Sequence, residues 1–429
     1  MFDLIVRNAK IRGSQTTADI CISGGCIAEL TEHASSPAAE EIDADGKLVC
    51  PPFIDPHLHL DAVMSVGKPR YNESGSHLEG ITVWDEYKKT LTEEEIRSNA
   101  LRAVLWEAAN GVQWIRTHVD VTDPDLKTLK ALLRVREEVE DLVDIQIVAF
   151  PQDGVYTSPH GEDLMRESVR LGIDALGGIP HCEYTREDGI RDVEFAFMLA
   201  DKYDLLVDIH CDETGDDQSR FIETMAGCTI RYAMEGRAAA SHATAMHNYN
   251  NDYAAKLMGV LKKAGLAVIT NPFDNSVLQN RFDGYPRRRG HTRVDELTEA
   301  GVTVAIGHDS IMDPWYPLGK GSMLMAANLL LHTAHLSGKS QAPLLFDMIT
   351  VNSAKVMNIT EGYGIEKGNP ASFLILDAKS ELQALRLLPE VLYSIRRGRI
   401  ISRAEPAEHR ISREVGELEI DFTVPGRDV

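Results

Sequence analysis

Eight short apolar runs, each closing on polar residues, constrain the fold of this 429-residue chain more than any other feature. They occupy residues 48–54, 113–119, 144–150, 175–179, 205–209, 238–240, 266–270 and 302–306. Their unbroken apolarity suits parallel strands covered on both faces, because a half-exposed strand alternates instead. Amphipathic stretches separate them. Residues 92–110 open T-E-E-E, with Thr92 placed to cap a helix, acids in its first turn and Gly111 to end it. Eight strand–helix units predict an α/β fold, a (β/α)8 TIM barrel. Residues 2–9 and 19–22 are β-type, with turns at Gly24-Gly25 and Asp45-Gly46. Residues 371–377 and 393–401 repeat that character, the second as a hairpin about Gly398. Two β-rich ends around one long middle predict that the termini meet in a small β-sandwich. The expected division is 1–50 plus 366–429 for the sandwich and C-terminal tail, and 51–365 for the barrel.

Composition narrows the partners. The formal charge of −22 opposes binding to phosphate backbones or anionic membranes, which basic surfaces serve. The basic spot Arg287–Arg289 is too short to reverse this and reads as a solvated or interfacial loop. Six cysteines form no C-x-x-C pair and no disulfide framework. Asp3 and Arg7 interrupt what would be the apolar part of a signal peptide, and no stretch is apolar enough to span a bilayer. The expectation is a cytoplasmic protein acting on a small molecule.

Chemistry in such barrels gathers at the strand C-terminal ends. Here those ends read D-P-H-L-H-L-D, T-H-V-D, P-Q-D-G, P-H-C-E, H-C-D-E, S-H-A-T-A-M-H and G-H-D-S. Residues far apart in sequence thus converge on one ring of ionisable groups. His57 and His59 are two apart on one strand and point to one face. An H-x-H pair alone is more often surface or core histidine. With His210 and Asp309 ending two further strands, it becomes a three-imidazole, one-carboxylate set suited to Zn2+ or Fe2+. His308 beside Asp309 points the other way, and His247 is not needed as a ligand. His118 reads equally as support for a ligand or as a core histidine. His181-Cys182-Glu183 matches half of a zinc deaminase signature whose P-C-x-x-C half is absent, so it reads as structural.

The motifs F-I-D-P-H-L-H-L-D, T-H-V-D-V, D-I-Q-I-V-A-F-P-Q, H-C-D-E, S-H-A-T-A-M-H, G-H-D and D-P-W-Y-P-L-G resemble the amidohydrolase superfamily, and within it the cytosine deaminase branch. The resemblance spans nearly the whole chain. It implies one divalent metal, Fe2+ or Zn2+, on His57, His59, His210 and Asp309. It implies proton shuttling by Glu213 and a contact of His242 with the attacking water. It gives Asp309 and Glu213 the catalytic proton transfers, and Gln152 and Trp315 the pyrimidine ring. Binuclear relatives carry a lysine after strand four; A-L-G-G-I-P-H-C-E-Y has none, which implies a single metal. A homo-oligomer is implied, a hexamer among its forms.

Two positions depart from the branch. Ser310 stands where a second Asp is usual, which removes a charge and leaves room for roughly a methyl at C5 of the ring. The expected reaction is therefore deamination of free cytosine or 5-methylcytosine. His77 stands where an apolar residue is expected, as a pocket contact or a loop cap. Isoguanine, creatinine or an aminotriazine is the alternative substrate, and a non-catalytic barrel the remote alternative.

Overall fold

The computed structural model describes residues 1–423. Strands Phe2–Ile11 (β1), Ala18–Ser23 (β2), Cys26–Thr31 (β3), Ala38–Asp43 (β4) and Leu48–Cys50 (β5) open the chain. The barrel strands follow: Phe53–Leu58 (β6), Val112–Asp120 (β7), Asp144–Phe150 (β8), Ala175–Leu176 (β9), Leu206–Cys211 (β10), Ala238–His242 (β11), Ala267–Thr270 (β12) and Val304–Ile306 (β13). Phe373–Leu376 (β14), Val391–Arg396 (β15) and Arg399–Arg403 (β16) return to the first sheet. Strand β14 lies antiparallel to β5, Leu374 opposite Cys50, so the two ends of the chain build one small domain. Its two halves share β1 and enclose one core, with Leu4, Val6, Ile20 and Ile22 facing Val49, Phe373, Ile375 and Ile395.

β6 to β13 are parallel and adjacent in chain order, as a right-handed barrel with intervening helices requires. The seam between first and last strands is closed at their C-terminal ends. The Asp309 N–H donates to the His57 carbonyl at 2.8 Å, and the His59 N–H donates to the Asp309 carbonyl at 3.0 Å.

Three expected runs are split or lose two or more residues. Residues 48–54 split into β5 and β6 at Pro51-Pro52, which have no N–H to continue a ladder. Residues 175–179 keep only two strand residues; Gly177 and Gly178 still bond to β8 and β10, and Asp192 from the helix Arg186–Tyr203 takes the Ile179 N–H at 2.9 Å. Residues 302–306 begin as strand only at Val304, since the Val302 N–H still caps the preceding helix at the Leu297 carbonyl. The helix Glu93–Ala109 has the expected capping box, Thr92 with Glu95. Gly111 follows at φ +89°, and a Cβ there would lie 2.7 Å from Leu374 Cδ1, so glycine lets this helix end pack on the small sheet. The six cysteines are unpaired. No helix among the described residues is long and apolar enough to cross a membrane. The expected tail contains a hairpin, Arg410–Arg413 (β17) with Gly416–Glu419 (β18); residues 424–429 lie outside the described ones.

Candidate metal centre and active site

The four nominated ligands meet at the barrel mouth. His57 lies near the end of β6, His59 just beyond it, His210 near the end of β10 and Asp309 after β13. His59 Nε2 is 3.0 Å from His210 Nε2. Asp309 Oδ1 is 3.3 Å from His57 Nε2 and 3.5 Å from His59 Nε2. Ligand atoms about 2.0–2.1 Å from a tetrahedral ion stand about 3.3 Å apart, so these edges enclose an ion-sized centre. Burial holds all three imidazoles well below the usual histidine range, neutral and free to give a lone pair. Burial, with Asp274 and Glu213 nearby, pushes the Asp309 carboxyl well up, a penalty that a cation at the centre reverses. The donor set fits a divalent metal.

Backbone geometry aims the flanking groups. His242 and Asp309 both adopt left-handed φ, +68° and +72°, turning their side chains into the mouth. Asp212, at φ +53°, anchors the loop after β10 by accepting the N–H groups of Phe221 and Ile222 at 2.9 Å each. The next residue, Glu213, is thereby turned inward. Its carboxyl accepts from Gln279 at 3.2 Å, and burial pushes its pKa up to about 8. His242 Nδ1 lies 3.5 Å from Glu213 Oε1 and 3.8 Å from Asp309 Oδ2. The amide nitrogens of Asn271 and Asn275 lie 3.2 Å from Nε2 and 3.0 Å from Nδ1 of His242, and the neutral ring accepts from one of them.

Beside the centre, His77, Gln152, Glu213, Asp274, Ser310 and Trp315 line a cleft of about 360 Å3. All four residues nominated for substrate contact are therefore on its wall. His77 is half-buried, and desolvation pushes its pKa down to about 4 and keeps it neutral. Trp315 is set by Asp313, whose Oδ1 accepts the Trp315 N–H at 2.9 Å, and by Gly80, where a Cβ would strike the indole at 2.5 Å.

Asp274 went unread in the sequence, and it qualifies the expectation for Ser310. The Ser310 hydroxyl donates to Asp274 Oδ1 at 3.0 Å, so a carboxyl still stands at this wall. Burial, Asp313 and Glu213 push its pKa well up. The signal was the one used elsewhere: T-N-P-F-D-N follows the seventh run and supplies Asn271, Asp274 and Asn275.

The remaining nominees separate cleanly. His308 turns away; its Nδ1 meets the Ser310 carbonyl at 2.9 Å and its Nε2 accepts the Gly321 N–H at 3.2 Å. His118 is fully buried and packs its ring 4.0 Å from that of His57. Glu183 accepts the N–H groups of Val155, Tyr156 and Thr157 and pins that loop. His247 lies in a surface cleft with Arg287–Arg289, away from the centre.

The amidohydrolase family profile matches residues 40–402. N-isopropylammelide isopropyl amidohydrolase of Pseudomonas sp. (strain ADP) is 31% identical over 94% of this chain and 98% of its own length. Pterin deaminase of Rhizobium rhizogenes is 26% identical over 93% and 91%. The crystal structure of 5-methylcytosine deaminase from Klebsiella pneumoniae, liganded with 5-fluorocytosine, superposes with a TM-score of 0.93 at 43% identity, covering 95% of this chain and 99% of that one. By fold, donor set and sequence, the chain belongs to the amidohydrolase family.

Proposed function

We propose that this hydrolase deaminates a free pyrimidine base, converting 5-methylcytosine and water to thymine and ammonia, with cytosine the poorer substrate. The observation that carries the reading is Ser310, a small residue hydrogen-bonded to Asp274 on the cleft wall. The similarity to the Klebsiella 5-methylcytosine deaminase supports it. A single Zn2+ or Fe2+ on His57, His59, His210 and Asp309 would, when bound, supply Lewis-acid activation of water near neutral pH.

The chain's own residues do the rest. Glu213 is protonated at neutral pH and hands its proton to the ring nitrogen, making the adjacent carbon electrophilic. Asp309 takes the proton that the attacking water gives up. His242, flanked by two amides, holds that water by a hydrogen bond. Glu213, reprotonated by the proton Asp309 took, delivers it to the amine, which leaves as neutral ammonia; as the carbonyl forms, the second water proton leaves the oxygen and restores the acid form of Glu213. Gln152 pairs with the carbonyl/N–H edge of the ring, and Trp315 stacks against its face. We further propose that the enzyme works in the cytoplasm as a homo-oligomer.

The test is kcat/KM for cytosine, 5-methylcytosine and isoguanine, in wild type and Ser310→Asp. Expected is a preference for 5-methylcytosine that Ser310→Asp lowers by about five- to a hundredfold, since a forced clash costs about 1–3 kcal/mol. Equal preference in both proteins overturns the role of Ser310. The relative acting on N-isopropylammelide favours a second reading, an amino-substituted triazine, and that compound belongs in the same panel.

A further inference from the structure

Below the metal centre, four buried side chains on different strands form one hydrogen-bonded line. On β7, Arg116 Nη1 donates to Asp208 Oδ2 of β10 at 2.9 Å. On β11, the Ser241 hydroxyl donates to Asp208 Oδ1 at 2.6 Å. His57 Nδ1 lies 2.8 Å from the Ser241 Oγ. Arg116 is itself held by Gln146 Oε1 at 3.0 Å and the Val356 carbonyl at 2.9 Å, so the carboxylate faces a fixed counter-charge.

A serine hydroxyl has one proton. Here Asp208 takes it, so Oγ can meet His57 only as an acceptor, and His57 Nδ1 must carry its ring proton. The lone pair then lies on Nε2, which has no other hydrogen-bond partner and sits 3.3 Å from Asp309 Oδ1. The brace sets this ligand apart from His210, whose corresponding nitrogen, Nδ1, has no hydrogen-bond partner. We infer that Arg116, Asp208 and Ser241 are positioning residues that select the metal-ready tautomer of His57 before any metal arrives. The inference rests on the reading of the metal centre above.

The test uses metal-stripped full-length protein, titrated with Zn2+ against a chromogenic chelator, alongside the melting temperature of each metal-free variant. In Ser241→Ala, His57 is free to take either tautomer, and zinc affinity is expected to fall about tenfold. In Asp208→Asn, the new amide donates to Ser241 Oγ, whose proton turns to His57 Nδ1 and drives the ring hydrogen onto Nε2. Affinity should fall further, toward a hundredfold. A packing role predicts no such order. Zinc affinities within twofold of wild type in both variants, or a larger loss in Ser241→Ala than in Asp208→Asn, overturn the inference. If Asp208→Asn does not fold, wild-type affinity in Ser241→Ala alone overturns it. Wild-type zinc affinity in His210→Ala is a different failure, that of the metal centre itself.

Discussion

At Glu213 one carboxyl joins stability to chemistry. Its pKa is raised by burial to about 8, so the folded chain binds this proton more tightly than the unfolded chain does. The stability it contributes is therefore full below the ordinary carboxylate range and is lost as pH climbs toward about 8. In metal-free protein, Glu213→Gln is expected to match wild type near pH 4 and exceed it at pH 8 by a few kcal/mol, read from urea midpoints. Activity moves the other way. Wild-type kcat/KM should decline above about pH 8 as the acid form empties, and Glu213→Gln should lose at least a hundredfold. The residues of this network were legible unequally. His57, His59, His210, Glu213, His242 and Asp309 show in the sequence because each follows an apolar run. Asp212 as an anchor does not, since its partners lie in the next helix and only folding brings them together.

Among the elements, the helix Glu93–Ala109 and the start of the helix His77–Lys88 contrast. The first is local in origin: Thr92, Glu95 and Gly111 specify its ends, and the sequence reading placed them within a residue. Thr92→Ala should cost about 1 kcal/mol of stability with kcat unchanged, checked by thermal unfolding and assay. The second matters through a contact that no periodicity reveals, Gly80 against Trp315. Gly80→Ala should push the indole off the cleft wall and raise KM several-fold more than it lowers kcat, with a shifted tryptophan emission as the structural check. The short strands β9 and β13 were overextended by hydrophobicity alone, for a side-chain and a helix-cap hydrogen bond take the Ile179 and Val302 N–H groups.

For the whole molecule, the architecture was legible and its closure was not. Apolar runs count strands, and β-rich ends announce a terminal domain, but nothing in them shows where β13 meets β6. The structure puts that junction at His57, His59 and Asp309, so the same peptide groups that complete the barrel carry the proposed metal ligands. Stripping the metal should lower the melting temperature, by the equivalent of about 4 kcal/mol when free metal stands at 1,000 times Kd. It should also speed hydrogen exchange at the His59 and Asp309 amides more than at the middle of β8. The closure has a consequence for biosynthesis as well. A ribosome delivers His57 and His59 early and Asp309 only after some 250 further residues. A nascent chain therefore holds an incomplete ligand set, and metal acquisition and barrel completion fall to the same late moment.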